Sequence, residues 1–127
     1  MSSDVDVQLL GPLVVRAGDS VVQFEGAKQR ALFTVLALRV PDPVSVDELV
    51  EALWAEQPPG DGVQALQQQV YRLRRSLGPA LPLRHGAAGY ALDIDADAVD
   101  ACRFERLLQR AREALAGGDP QSARDGL

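Results

Sequence analysis

The chain has 127 residues, enough for one domain and the start of a second. Its 46% hydrophobic content supports a real core, and with aromatics at only 5% that core must be built from Leu, Val and Ala. A formal net charge of −5 excludes a nucleic-acid binder held by bulk charge, but it leaves room for a basic strip on an acidic body.

Val5 to Leu10 is rich in β-formers and is broken by Gly11-Pro12. Leu13–Arg16 and Val21–Phe24 follow, either side of the turn Ala17–Ser20. Three short strands in succession predict a small antiparallel sheet. From Ala27 to Arg39 the period becomes helical, with Ala31, Leu32, Val35, Leu36 and Leu38 apolar. A helix apolar nearly all round belongs at the centre of the core. Pro41-Asp42-Pro43 stops it. Ser45-Val46-Asp47-Glu48 is a capping box that opens a short helix through Leu49, Val50, Leu53 and Trp54, with Trp54 expected in the core. Gln57–Gly62 is a loop of breakers.

The helix over residues 62–77 carries the most informative pattern. Val63, Leu66, Val70, Leu73 and Leu77 recur at helical spacing as an apolar stripe. At about 100° per residue, Gln64, Gln68, Tyr71, Arg72 and Arg75 fall together on the other side. Amides, a phenol and guanidinium forks are the groups that reach phosphates and base edges in a DNA groove. Arg74 falls nearer the apolar stripe, which predicts a partly structural role. Gly78-Pro79 ends the helix.

Leu81–Arg84 and Tyr90–Ile94 are two further strands, joined by the small tip His85–Gly89, which predicts a hairpin. After Asp95 the chain changes character. Asp97 or Asp100 is placed to cap a helix running to Ala116, with Cys102, Phe104, Leu107, Leu108, Ala111 and Leu115 as its stripe. Gly117–Pro120 breaks it, and residues 121–127 begin another. Paired helices of this kind predict a helical-repeat segment.

Sheet, helix, short helix, basic helix and hairpin is the order of an α+β winged helix-turn-helix. There the third helix enters the major groove and the hairpin wing touches the flanking backbone. The expected division is a winged-helix domain over 1–95 and a helical-repeat segment over 96–127. Lys28 and Arg30 sit in the first turn of a helix, where free amides favour phosphate, and Arg84 and His85 flank the hairpin tip. These four join Gln64, Gln68, Tyr71, Arg72 and Arg75 as the candidate DNA-contact residues. No P-loop, dinucleotide fingerprint, nucleophile elbow or Cys/His metal spacing is present, and the chain has one histidine and one cysteine. The expectation is a non-enzyme without cofactor or metal. No apolar run approaches the roughly 20 residues of a membrane helix, and the N-terminus lacks a signal-peptide layout, which predicts a cytoplasmic protein with no membrane partner. The net charge of −5 also supports an alternative, a winged helix acting as a protein–protein interaction module.

Several segments together resemble the antibiotic regulatory proteins of actinobacteria, the SARP family. They are Leu9–Val15, Lys28–Leu32, Val44–Trp54, Pro58-Pro59, Ala65–Gln67, Arg72–Gly78, Gly89–Leu92 and Asp100–Glu105. The resemblance implies an OmpR-type winged helix followed by the helical repeats of a bacterial transcriptional activation domain. It implies an activator of an antibiotic or other secondary-metabolite gene cluster, binding promoter direct repeats as two copies side by side. It further implies that the loop 55–62, with Glu56, Gln57 and Asp61, touches RNA polymerase. The family's third helix usually reads Asn-Ala-Leu-Gln-Thr-Tyr-Val-Ser-Arg-Leu-Arg-Arg. Here Gln64, Gln68, Gln69 and Tyr71 stand in place of the Asn, Thr, Tyr and Ser, which implies a different preferred operator.

Overall fold

The β-rich start of the chain folds as predicted in kind, with shorter strands. The structure, a computed structural model, describes residues 5–55 and 60–117. Strands β1 (Val5–Gln8), β2 (Val14–Ala17) and β3 (Ser20–Val21) form one antiparallel sheet in that order. The register pairs Val7 with Val15, and both are fully buried. β1 stops before Leu9 because the amides of Leu9 and Leu10 donate to the carboxylate of Asp100, at 2.7 and 3.2 Å, instead of to a strand. β3 is cut short as the chain turns inward. The Val22 amide still donates to the Val15 carbonyl at 2.9 Å, but Phe24 packs on Phe33 with ring centroids 5.3 Å apart.

Three helices build the centre: α1 (Ala27–Arg39), α2 (Val46–Leu53) and α3 (Gly62–Leu77), each packed on the other two. α1 buries Leu32, Phe33, Leu36 and Ala37, whereas Leu38 is 51% exposed, so the helix has an outer side after all. At α2 half of the capping box forms. The Ser45 hydroxyl oxygen accepts from the Glu48 amide at 3.1 Å, while the Glu48 carboxylate takes Arg39 at 2.6 Å and does not return to the cap. Trp54 is half-buried at the C-terminal cap of α2 and does not enter the core. On α3 the residues Leu66, Val70, Leu73 and Leu77 are buried as the stripe predicts, but Val63 in the first turn is 51% exposed.

The hairpin consists of β4 (Leu83–Gly86) and β5 (Gly89–Leu92). Its register, Leu83 with Leu92 and Gly86 with Gly89, moves the tip to Ala87-Ala88 and makes it tighter than the expected five-residue loop. Leu81 and Ile94 lie outside the strands yet are buried, so the expected strand positions still face the core. Tyr90 exchanges both backbone hydrogen bonds with Val44 in the α1–α2 linker, at 2.8 and 3.0 Å, and this docks the hairpin against the helices.

A 3₁₀ turn (Ala96–Ala98) leads into α4 (Asp100–Ala116). Neither Asp97 nor Asp100 caps α4, because their carboxylates are already engaged. Asp97 pairs with Arg106 at 2.6 Å, Asp100 binds the end of β1, and Val99 occupies the cap position, bridged to Val7. Cys102 is only half-buried, its thiol 3.5 Å from the Ala37 carbonyl oxygen, and partial desolvation pushes its pKa up. No residue of α4 is buried among the described residues, and Phe104, Leu107 and Leu115 are each more than half exposed. The helix expected over 121–127 lies outside the described residues, as do Pro58 and Pro59. Among the described residues no helix is long and apolar enough to cross a membrane.

Candidate nucleic-acid interface

The 16 residues of α3 alternate apolar and polar with a helical period, so burying one face presents the other to solvent. Asp61 starts the helix. Its carboxylate accepts from the Gln64 amide at 3.1 Å, satisfying one free donor of the first turn. Gly62 follows, where a β-carbon would come 3.0 Å from a Val50 methyl, so α2 and α3 meet closely at their turn. The exposed face gathers Gln64, Gln68, Tyr71, Arg72 and Arg75 around one shallow hollow, as the spacing predicts. Gln67 joins them, a residue that sequence reasoning passed over although it lies one turn before Tyr71. Tyr71 is 62% exposed, and the Arg75 guanidinium carbon stands 5.9 Å from its ring centroid. Arg72 and Arg75 also border a second hollow, lined on its far side by Ser20, Val21 and Glu25.

Arg74 points away from this face. Its Nε and Nη2 both donate to the Leu83 carbonyl, at 3.1 and 2.9 Å, and so tie the first residue of β4 to α3. That bond ties the wing to α3. Within the wing, Arg84 and His85 are both exposed. Strand alternation turns these neighbours to opposite faces of the ribbon. His85 stacks on Tyr90 at 4.3 Å with 11° between the rings, while Arg84 reaches across to Asp93.

Lys28 and Arg30 are exposed at the start of α1, and neither lines the α3 hollow. The α1 cap, Gly26 with φ 112°, offers no side-chain oxygen, and the first turn holds no acid. Free amides and two cations therefore stand together there. The Lys28 ammonium lies 5.5 Å from the centroid of a Trp54 ring. Gln29 between them was not anticipated. It is fully buried, and its Oε1 accepts from the Glu25 amide at 3.1 Å and from the Ser76 hydroxyl at 3.2 Å, so one amide joins the start of α1 to the last turn of α3. A Gln three residues after the cap is the only signal the sequence held for it. Of the loop expected to meet RNA polymerase, Asp61 is the exposed helix cap just described, and Glu56 and Gln57 lie outside the described residues.

A short sheet, a three-helix centre and a hairpin docked beside a polar third helix define a winged helix-turn-helix protein. Residues 25–92 match the family described as "Transcriptional regulatory protein, C terminal". The chain belongs to that family and is of the antibiotic-regulatory, SARP type, whose members are transcriptional regulators and not enzymes. It is 31% identical over 125 residues to the regulatory protein DnrI of Streptomyces peucetius, a match spanning 91% of this chain and 46% of DnrI. It is 35% identical over 126 residues to the transcriptional regulator RedD of Streptomyces coelicolor, spanning 94% of this chain and 36% of RedD. The solved structure of Mycobacterium tuberculosis EmbR in complex with a low-affinity phosphopeptide superposes with a TM-score of 0.74 at 31% identity, covering 98% of this chain and 34% of EmbR. The chain thus spans less than half the length of each of these relatives.

Proposed function

We propose that this chain is the sequence-specific DNA-binding part of a transcriptional activator of a secondary-metabolite gene cluster, acting in the cytoplasm. The observation that carries the reading is the α3 face. Six long polar side chains surround one hollow on a helix of a size the major groove admits, and Arg74 holds the wing alongside. Gln64, Gln67, Gln68 and Tyr71 offer groups for base edges, Arg72 and Arg75 for phosphates or a guanine edge, and Lys28 and Arg30 for flanking phosphate at the start of α1. The wing, with Arg84 and His85, meets the neighbouring backbone. Two copies bind side by side on direct repeats, and the loop 55–62 faces RNA polymerase. From residue 96 the chain begins a helical unit. Its support is α4, whose stripe of Phe104, Leu107 and Leu115 is left uncovered by the winged helix.

The test is an anisotropy titration of the wild type and of Arg72→Ala/Arg75→Ala onto promoter fragments from the protein's own gene neighbourhood, at several salt concentrations. Saturable binding to one preferred fragment is expected. The double variant should lose affinity and flatten the slope of log K against log salt by about two. A folded wild type that binds no fragment at low salt overturns the reading and favours the protein-interaction module, which the net charge of −5 and the exposed Tyr71 would then explain.

A further inference from the structure

Of the cations assigned to DNA, Arg84 alone is held by a carboxylate of the chain among the described residues. The wing's register creates the pair. Arg84 lies opposite Ala91, so Asp93, two residues on, is its diagonal neighbour on the same face of the ribbon. The Asp93 amide donates to the Pro82 carbonyl at 2.9 Å, continuing the ladder and fixing the approach. Arg84 then directs two donors, Nε at 2.7 Å and Nη2 at 2.5 Å, onto the single oxygen Oδ2. That edge is one of the two by which a guanidinium grips a phosphate with a pair of donors. Both partners remain open to solvent, at 67% and 49% side-chain exposure, so an incoming anion can displace the carboxylate without unfolding anything.

We propose that Asp93 is an internal stand-in for a DNA phosphate, occupying a phosphate-binding edge of Arg84 and lowering the wing's affinity for any duplex. The proposal rests on the DNA-binding reading above. A phosphate contact carries no sequence information, and neither does its suppression. Asp93 therefore weakens binding to specific and unrelated DNA alike, and leaves discrimination to the α3 face. On a chain of net charge −5 it removes one of few cations from non-specific attraction.

The experiment compares the wild type, Asp93→Asn, Arg84→Ala, Arg84→Ala/Asp93→Asn and Asp97→Asn on a preferred promoter fragment and on an unrelated duplex. Asp97→Asn removes the same unit of charge but from the Arg106 pair at the start of α4. Asp93→Asn should tighten binding to both duplexes by about three- to fivefold at low salt and steepen the salt slope by about 0.9. The gain should vanish when Arg84→Ala is added, so that the double variant binds no tighter than Arg84→Ala alone, and Asp97→Asn should not reproduce the gain. Asp93→Asn binding no tighter than wild type, or a gain that survives in the double variant, overturns the proposal. Wild-type binding with no Asp93 effect defeats this inference alone. Binding by neither protein defeats both it and the DNA-binding reading.

Discussion

At the scale of single residues, this fold depends on close approaches that only particular side chains permit. Gly89 is the sharpest case. Its φ is +128°, and a β-carbon there would lie 2.0 Å from the Val44 carbonyl oxygen, the same oxygen that receives the Tyr90 amide. Gly89→Ala should therefore cost about 2–4 kcal/mol, through backbone strain and displacement of the wing from the α1–α2 linker. Urea unfolding checks this, and a loss below about 1 kcal/mol would mean that the linker yields easily. Gln29 acts in the opposite manner. It is a polar group carried into the core, where its oxygen serves two donors, the Glu25 amide and the Ser76 hydroxyl, while its Nε2 is buried without a partner among the described residues.

At the scale of elements, the wing is positioned by two polar attachments in addition to the burial of Leu83, Tyr90 and Leu92 in the core. One is the Val44–Tyr90 backbone pair to the linker, and the other is the Arg74 fork on the Leu83 carbonyl. Removing the fork leaves the hairpin folded but loosely aimed. Arg74→Met should cost about 1–2 kcal/mol and raise hydrogen exchange in β4 and β5 while α3 amides keep their protection. Its effect on DNA affinity should come without the loss of salt slope expected for Arg72→Ala, because Arg74 is assigned no phosphate. Equal deprotection of α3 would show that Arg74 stabilises the helix itself and not the wing.

At the scale of the whole molecule, the N-terminal sheet and α4 are distant in sequence yet joined through Asp100. Partial desolvation tends to raise this carboxyl's pKa. The amides of Leu9, Leu10 and Ala101, with Arg103 nearby, outweigh it and hold the pKa below the ordinary carboxylate value. A group whose folded pKa is lowered stabilises fully above its unfolded pKa, and the contribution disappears as pH falls through the folded value. The junction of sheet and α4 should therefore weaken as pH drops below about 4, and Asp100→Asn should be less stable than wild type at pH 7 with a flatter acid limb. Thermal melts of both proteins from pH 7 to pH 3 measure this. Parallel pH curves for the two would rule out the Asp100 contact as a source of acid sensitivity.

Element type and order were legible in the chain because they rest on local signals. The 3.6-residue period of α3 marked both its buried stripe and its polar face, and the Ser45 and Gly78 signals bounded α2 and α3. The candidate contact residues on α3 followed from the same geometry. What the chain could not show were the competitions between distant partners. Asp100 looked like a cap until β1 supplied two amides, Glu48 looked like half of a capping box until Arg39 stood nearer, and Arg84 looked like a free cation until the hairpin register placed Asp93 against it. Periodicity and capping are set within one or two turns of chain, so the sequence alone determined them. A polar side chain chooses among partners that only the tertiary fold brings within about 3 Å, and that choice was decided by the structure.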